Sequence, residues 1–399
     1  MIRRSLIAAT AAITLLTGCA AEAPANQPAP SADPAVEPEA TESGHGARAG
    51  AEEIGEPQNG ILTISASGEA SLIDLVSEEE TSIGQIGAPE ALASEGRYGF
   101  VTTASGIDIV DGGAWSWDHG DHFHFYRTTP SVRGSVEGSG PVSITPPQLS
   151  TQGATGMFFA DGTAVALDMA ALDEGEVSEW FRIDTGEDSG VVAPAGDHAI
   201  VAAGSEARVY DASGEPQGDA VACEDPSGAI ATRVGTVIGC ADGALLATSD
   251  SGSVSMEMIE APEGFERATA FDGRKGRPTV SALSGENGFW LLDTRAKAWT
   301  HVDVDATLRT VIAADDNDDN VLAIDDEGVL HVYGPDGSER GATEPIADEA
   351  STLVVDIQRA YLTAPESGLV YEIDYRDGAR IARELAPAAG LAVGTEVGR

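Results

Sequence analysis

Three of the chain's seven histidines fall within six positions, in the run Trp115-Ser116-Trp117-Asp118-His119-Gly120-Asp121-His122-Phe123-His124-Phe125-Tyr126-Arg127. Imidazole and carboxylate donors at this density suit a borderline divalent cation. Extended backbone sends alternate side chains to opposite faces, so His122 and His124 point one way while Phe123 and Phe125 point the other. Gly120 permits a turn that brings His119 round to join them. Asp118 or Asp121 then completes a tetrahedron or orients an imidazole from behind. Three imidazoles and a carboxylate fit Zn²⁺, with Cu²⁺ and Ni²⁺ also feasible. The spacing matches no standard zinc motif, so a His-rich turn held by hydrogen bonds is the competing reading of the same residues.

The remaining chemistry-bearing residues are more scattered. His198 opens an apolar stretch and is read as a turn residue, although it could enter a site from a neighbouring repeat. His301 and His331 lie in strand patterns and read as structural, and His45 stands alone in a polar segment. The run from Asp315 to Asn320 invites a calcium reading, but it lacks the glycine of a calcium loop and is ordinary turn chemistry. There is no Gly-x-Ser-x-Gly elbow and no glycine-rich phosphate loop, so no catalytic residues are assigned and the chain is read as a non-enzyme.

The elements that must position the histidines are short strands. Examples are Ile61-Leu62-Thr63-Ile64, Thr163-Ala164-Val165-Ala166-Leu167, Phe289-Trp290-Leu291-Leu292-Asp293 and Val370-Tyr371-Glu372-Ile373-Asp374. Asp-Gly pairs at Asp111, Asp161, Asp242, Asp272, Asp336 and Asp377 mark tight turns, because such turns need positive φ. No long segment has helical periodicity with caps. The strands group at a period of about 40–50 residues, which predicts an all-β propeller of seven blades, with eight as the alternative. A pair of β-sandwiches would not give the even spacing.

The start of the chain reads as an export signal. Arg3 and Arg4 precede an apolar run from Ser5 to Leu16, too short to span a bilayer, and Leu16-Thr17-Gly18-Cys19 looks like a lipobox. Residues 1–18 are therefore expected to be a signal peptide and Cys19 the lipidated N-terminus. Residues 19–58, rich in Ala, Pro and Glu, read as a disordered tether, and 59–399 as the propeller domain. The expected location is the cell envelope, on the outer side of the cytoplasmic membrane, with the lipid as the only membrane attachment. The formal net charge of −44 argues against nucleic acid as a partner. With Cys19 spent on lipid, Cys223 and Cys240 remain as a pair in an oxidising compartment. The segment from Cys223 to Cys240 reads as two adjacent strands joined by a Pro-Ser-Gly turn, and a disulfide closing that loop would contribute roughly 3 kcal/mol. A two-cysteine metal site is the other option, but no partner ligands lie nearby in sequence.

Several segments together resemble the AztD family, periplasmic zinc-binding propeller proteins that hand zinc to the solute-binding protein of an ABC transporter. They are Gly99 to Thr103, Ile107 to Asp111, the motif from Trp115 to Arg127, Gly134 to Gly138, Ala164 to Asp168, Glu174 to Val177, the Cys223/Cys240 pair, Tyr361 to Thr363 and Glu372 to Asp374. The resemblance covers most of residues 60–385, and Asp118 to His124 is its specific part. It implies a propeller with Zn²⁺ as the bound ion, His119, His122 and His124 as ligands, Asp118 or Asp121 in support, and an ABC-transporter zinc-binding protein as partner. The chain departs from the family pattern where further histidines would stand, with Val142-Ser143, Asp188-Ser189-Gly190 and Pro226-Ser227-Gly228 in their place. The alternative is a metal-free propeller module that docks another envelope protein. A zinc hydrolase is the third reading, since three histidines with an open position are also catalytic zinc geometry.

Overall fold

The strands alternate between residues covered on both faces and residues that meet water, and this contrast determines how they assemble. Tyr98–Thr103, Ala154–Phe159, Thr236–Cys240 and Ala360–Ala364 are buried along their whole length. Ser253–Glu260 alternates exposed with partly covered positions. A strand buried on both faces needs a sheet packed on each side. The computed structural model, which describes residues 50–118, 122–285 and 288–399, meets that need with eight four-stranded antiparallel sheets and one three-stranded sheet.

In seven of the eight, four consecutive strands form the sheet in chain order, apart from one insertion in the second sheet. The second sheet comprises Ala91–Ser94, Tyr98–Thr103, Gly106–Asp111 and Ser131–Glu137, and the fifth comprises Ala229–Ala231, Thr236–Cys240, Gly243–Asp250 and Ser253–Glu260. The first sheet differs: Gly60–Ile64, Glu69–Asp74 and Glu80–Gln85 are completed by Val393–Val397 from the far end of the described chain, paired antiparallel to Gly60–Ile64.

Apolar seams join each sheet to the next. Leu62 and Ile64 pack with Val101 and Val110, Phe100 and Ile109 with Met157 and Leu167, and Phe158 and Ala166 with Val192 and Val201. The pattern continues through Ile200 with Ile238 and Leu245, Leu246 with Val280 and Leu292, and Phe289 with Val311 and Ala323. Leu322 and Ile324 then meet Leu362 and Ile373, and Tyr361 and Val370 return to Ile61 and Ile73 of the first sheet. The sheets thus close on themselves as a propeller arrangement. Burying a Leu, Ile or Val side chain contributes about 1.5–3 kcal/mol, so each seam is a substantial local core.

Four sequence expectations change in detail. Among the described residues the four-stranded sheets number eight, where the repeat count favours seven blades with eight as the alternative. Glu52–Ile54, which the composition assigns to the tether, is a strand paired with Phe123–Arg127. Asp111 and Asp272 do not start tight hairpins of positive φ: Asp111 is a buried ion-pair partner, and Gly112 and Gly273 are absent from the positive-φ residues. Finally, the Cys223–Cys240 disulfide forms, but it ties the end of the fourth sheet to the second strand of the fifth rather than closing one hairpin. The helical content is the single turn Met169–Asp173 among the described residues, capped by Asp168, whose carboxylate accepts from the Ala170 and Ala171 N–H groups.

Candidate functional site

The insertion in the second sheet carries the histidine motif. Between its third and outer strands the chain leaves as a hairpin, Ala114–Asp118 with Phe123–Arg127, and Glu52–Ile54 adds to the free edge of the latter to make the three-stranded sheet. In an antiparallel four-stranded sheet the inner-to-second and third-to-outer connections lie at the same end. The hairpin therefore shares a face with the inner-to-second loops of the other sheets built from consecutive strands. Two contacts fix it there: Arg233 of the fifth sheet donates to Asp118 at 2.7 Å, and Ser116 Oγ donates to Gly398 O at 3.2 Å.

His122 and His124 point the same way, as the alternation requires. Their Nε2 atoms are 2.9 Å apart, and their ring centroids are 4.7 Å apart. Behind His124, Nδ1 lies 2.7 Å from Glu53 Oε1. A neutral His124 that donates from Nδ1 to Glu53 would turn its Nε2 lone pair toward His122 Nε2. A carboxylate behind an imidazole is the arrangement that orients metal-binding histidines and raises their basicity. The other face of the strand carries Phe123 and Phe125, stacked with centroids 6.3 Å apart, and Phe123 is 56% exposed.

The base of the hairpin is rigid and apolar. Trp115 and Tyr126, directly opposite across the strands, are buried and stack at 5.5 Å, and Tyr126 stacks in turn on His124 at 6.3 Å. Burial and the nearby Glu53 carboxylate push the Tyr126 phenol up. Beneath Trp115 lies a buried ion cluster. Arg97 donates from Nε and Nη2 to the two oxygens of Asp111 at 3.1 and 3.0 Å, and from Nη1 to Asp173 at 2.6 Å, and Arg133 also pairs with Asp111. Burial alone would raise the Asp111 carboxyl, but the Arg97 and Arg133 guanidiniums hold it below the usual carboxylate range.

The predicted site residues thus divide. The structure brings His122 and His124 together and ties Asp118 to Arg233; His119 and Asp121 lie outside the described residues, as does Cys19. No group of three or more metal-binding side chains is assembled among the described residues, which supply two imidazole nitrogens at the pair. Glu53 was missed by sequence reasoning, because a glutamate in an acidic polar segment carries no signal of its own. His301 bonds to Ser284 Oγ at 2.9 Å and stacks on Phe265. The Asp315–Asn320 run is a turn: Asp316 accepts the Asp318 and Asn320 N–H groups, and Asp315 pairs with Arg277.

By sequence, no protein-family profile and no curated protein matches the chain. Solved structures do match. AztD of Citrobacter koseri superposes with a TM-score of 0.73 at 17% identity, over 86% of this chain and 99% of that one. This chain has an AztD-like fold. The apo form of AztD from the same organism gives 0.72, also at 17% identity, over 86% and 98% of the two chains. A more distant match is the dihydro-heme d1 dehydrogenase NirN in complex with DHE, with a TM-score of 0.53 at 12% identity over 88% and 80%.

Proposed function

We propose that this protein is a zinc carrier of the cell envelope that takes Zn²⁺ at the histidine hairpin and passes it to the zinc-binding protein of an ABC transporter. The observation that carries the reading is the His122–His124 pair, two Nε2 atoms 2.9 Å apart on a hairpin at the propeller surface, with Glu53 behind one of them. The AztD-like fold supports it. Zinc here is cargo. To bind it, His122 moves its proton from Nε2 to Nδ1, so that both Nε2 lone pairs face the ion. His119 and Asp121 complete the shell, while Asp118, held by Arg233, fixes the hairpin's angle. A site at an exposed hairpin suits handover, because a partner can reach the ion without the carrier unfolding.

The wider setting belongs to the same proposal. The eight sheets are eight blades, residues 1–18 are removed on export, and Cys19 carries the lipid on the outer side of the cytoplasmic membrane. The chain acts by binding rather than catalysis. A metal-free docking module is the second reading, favoured by the exposed Phe123 and by the two-nitrogen count among the described residues. Calorimetric titration of Zn²⁺ into the stripped full chain in detergent separates them. The carrier reading predicts tight one-to-one binding that is lost in a His119→Ala/His122→Ala/His124→Ala variant. Equal, weak binding by both proteins would leave docking.

A further inference from the structure

We infer that Arg97, far from the surface of the hairpin, is a positioning residue for His124, acting through a continuous stack of rings. The inference rests on the zinc reading for its purpose but not for its geometry. The Arg97 guanidinium carbon lies 3.7 Å from the centre of the Trp115 ring and 4.6 Å from that of Tyr98. Trp115 stacks on Tyr126 with an interplanar angle of 28°, Tyr126 on His124 at 14°, and His124 meets His122 edge-on at 60°. From Trp115 to His124 the planes tilt by 28° and then 14°, so the position of the cation against the indole is transmitted to the ring that holds the paired nitrogen.

The cation itself cannot rotate. Three of its nitrogens are bonded, two to Asp111 and one to Asp173 at the end of the short helix of the third sheet. Its side chain and that of Asp111 are fully buried. A planar fork bonded along its edge leaves its face for the indole, which a lysine ammonium cannot reproduce even though it keeps the charge. The seam between the second and third sheets thereby sets the plane of Trp115. Glu53 holds His124 from one side and the stack holds it from below, so the Nε2 atom has one direction in which to point.

The test is Arg97→Lys in the full chain, read by the imidazole ¹⁵N signals of His122 and His124 without zinc and then by zinc affinity in competition with a chelator. Wild type should show His124 as one tautomer, with the proton on Nδ1. In Arg97→Lys the signals should move toward an average of two tautomers, and zinc affinity should fall about tenfold, the lower end for an outer-shell orienting contact. If Arg97→Lys does not fold, Trp115→Leu breaks the same stack one step later and should give the same tautomer averaging. Unchanged histidine signals in a folded Arg97→Lys or Trp115→Leu protein overturn the inference. If wild type binds no zinc yet the signals still respond, the carrier reading fails and the positioning role stands.

Discussion

Two histidines in this molecule stack on a tyrosine two residues further along the same strand, yet they are built for different ends. His331 lies on Tyr333 with centroids 5.4 Å apart, and both ring nitrogens are engaged by carboxylates: Nε2 is 3.0 Å from Asp325 and Nδ1 is 2.9 Å from Glu339. His124 lies on Tyr126 and has the Glu53 carboxylate on Nδ1, while its Nε2 faces a second imidazole. The first histidine knits the second, third and outer strands of the seventh sheet together, and ligating a metal would mean breaking a hydrogen bond to a carboxylate. The second keeps one nitrogen against a partner that is itself a metal donor. Under the zinc reading, what separates a structural histidine from a ligand is the identity of the group on the second nitrogen; ring stacking is common to both.

The largest expected effect comes from that contrast. His122→Ala/His124→Ala should lower zinc affinity by about two orders of magnitude or more, since it removes ligands outright. His331→Ala should leave zinc affinity within about twofold while lowering the melting temperature, because its loss strips Oδ2 of buried Asp325 of its imidazole partner. Calorimetry and thermal unfolding read both. Replacing the disulfide cysteines by alanine should cost roughly 3 kcal/mol of unfolding free energy in denaturant titrations and leave zinc affinity unchanged, which separates scaffold from site. Glu53→Gln should weaken zinc binding by about tenfold, whereas Glu339→Gln, the equivalent change beside His331, should not alter it in the same chelator competition.

The smallest effect concerns pH. Burial pushes the Glu396 carboxyl up to about 8 against the pull of the Arg399 guanidinium, and burial pushes Asp272 up to about 6. Between their unfolded and folded values the unfolded chain has released protons that the folded chain retains, so stability falls as pH rises through that window. Calorimetric melting between pH 5 and 8 should show the decline, and Glu396→Gln should flatten it by about a few degrees.

Much of this was legible in the residues. Alternation alone put His122 and His124 on one face and the two phenylalanines on the other. The strands at Ile61, Thr163, Phe289 and Val370 stand where their β-branched and aromatic runs lie. The sheet number was harder to read, because one sheet is closed by Val393–Val397 from across the chain and another is interrupted by the hairpin, and both dilute a linear period. Glu52–Ile54 escaped because two glutamates and an isoleucine become a strand only by pairing with an edge that exists once the hairpin forms. Asp111 read as a turn because nothing in Asp-Gly distinguishes a surface turn from a carboxylate awaiting two arginines that lie 14 and 22 residues away. Local pattern names the elements, whereas the partners of buried charges are set by packing between sheets.

The central claim is that the paired imidazoles hold the metal. X-ray absorption at the zinc edge of the full chain, loaded with one equivalent of zinc, tests it most directly. The account predicts at least two imidazole nitrogens at roughly 2.0–2.1 Å, lost in His122→Ala/His124→Ala. A zinc shell of carboxylate and water oxygens alone, identical in the two proteins, would contradict it.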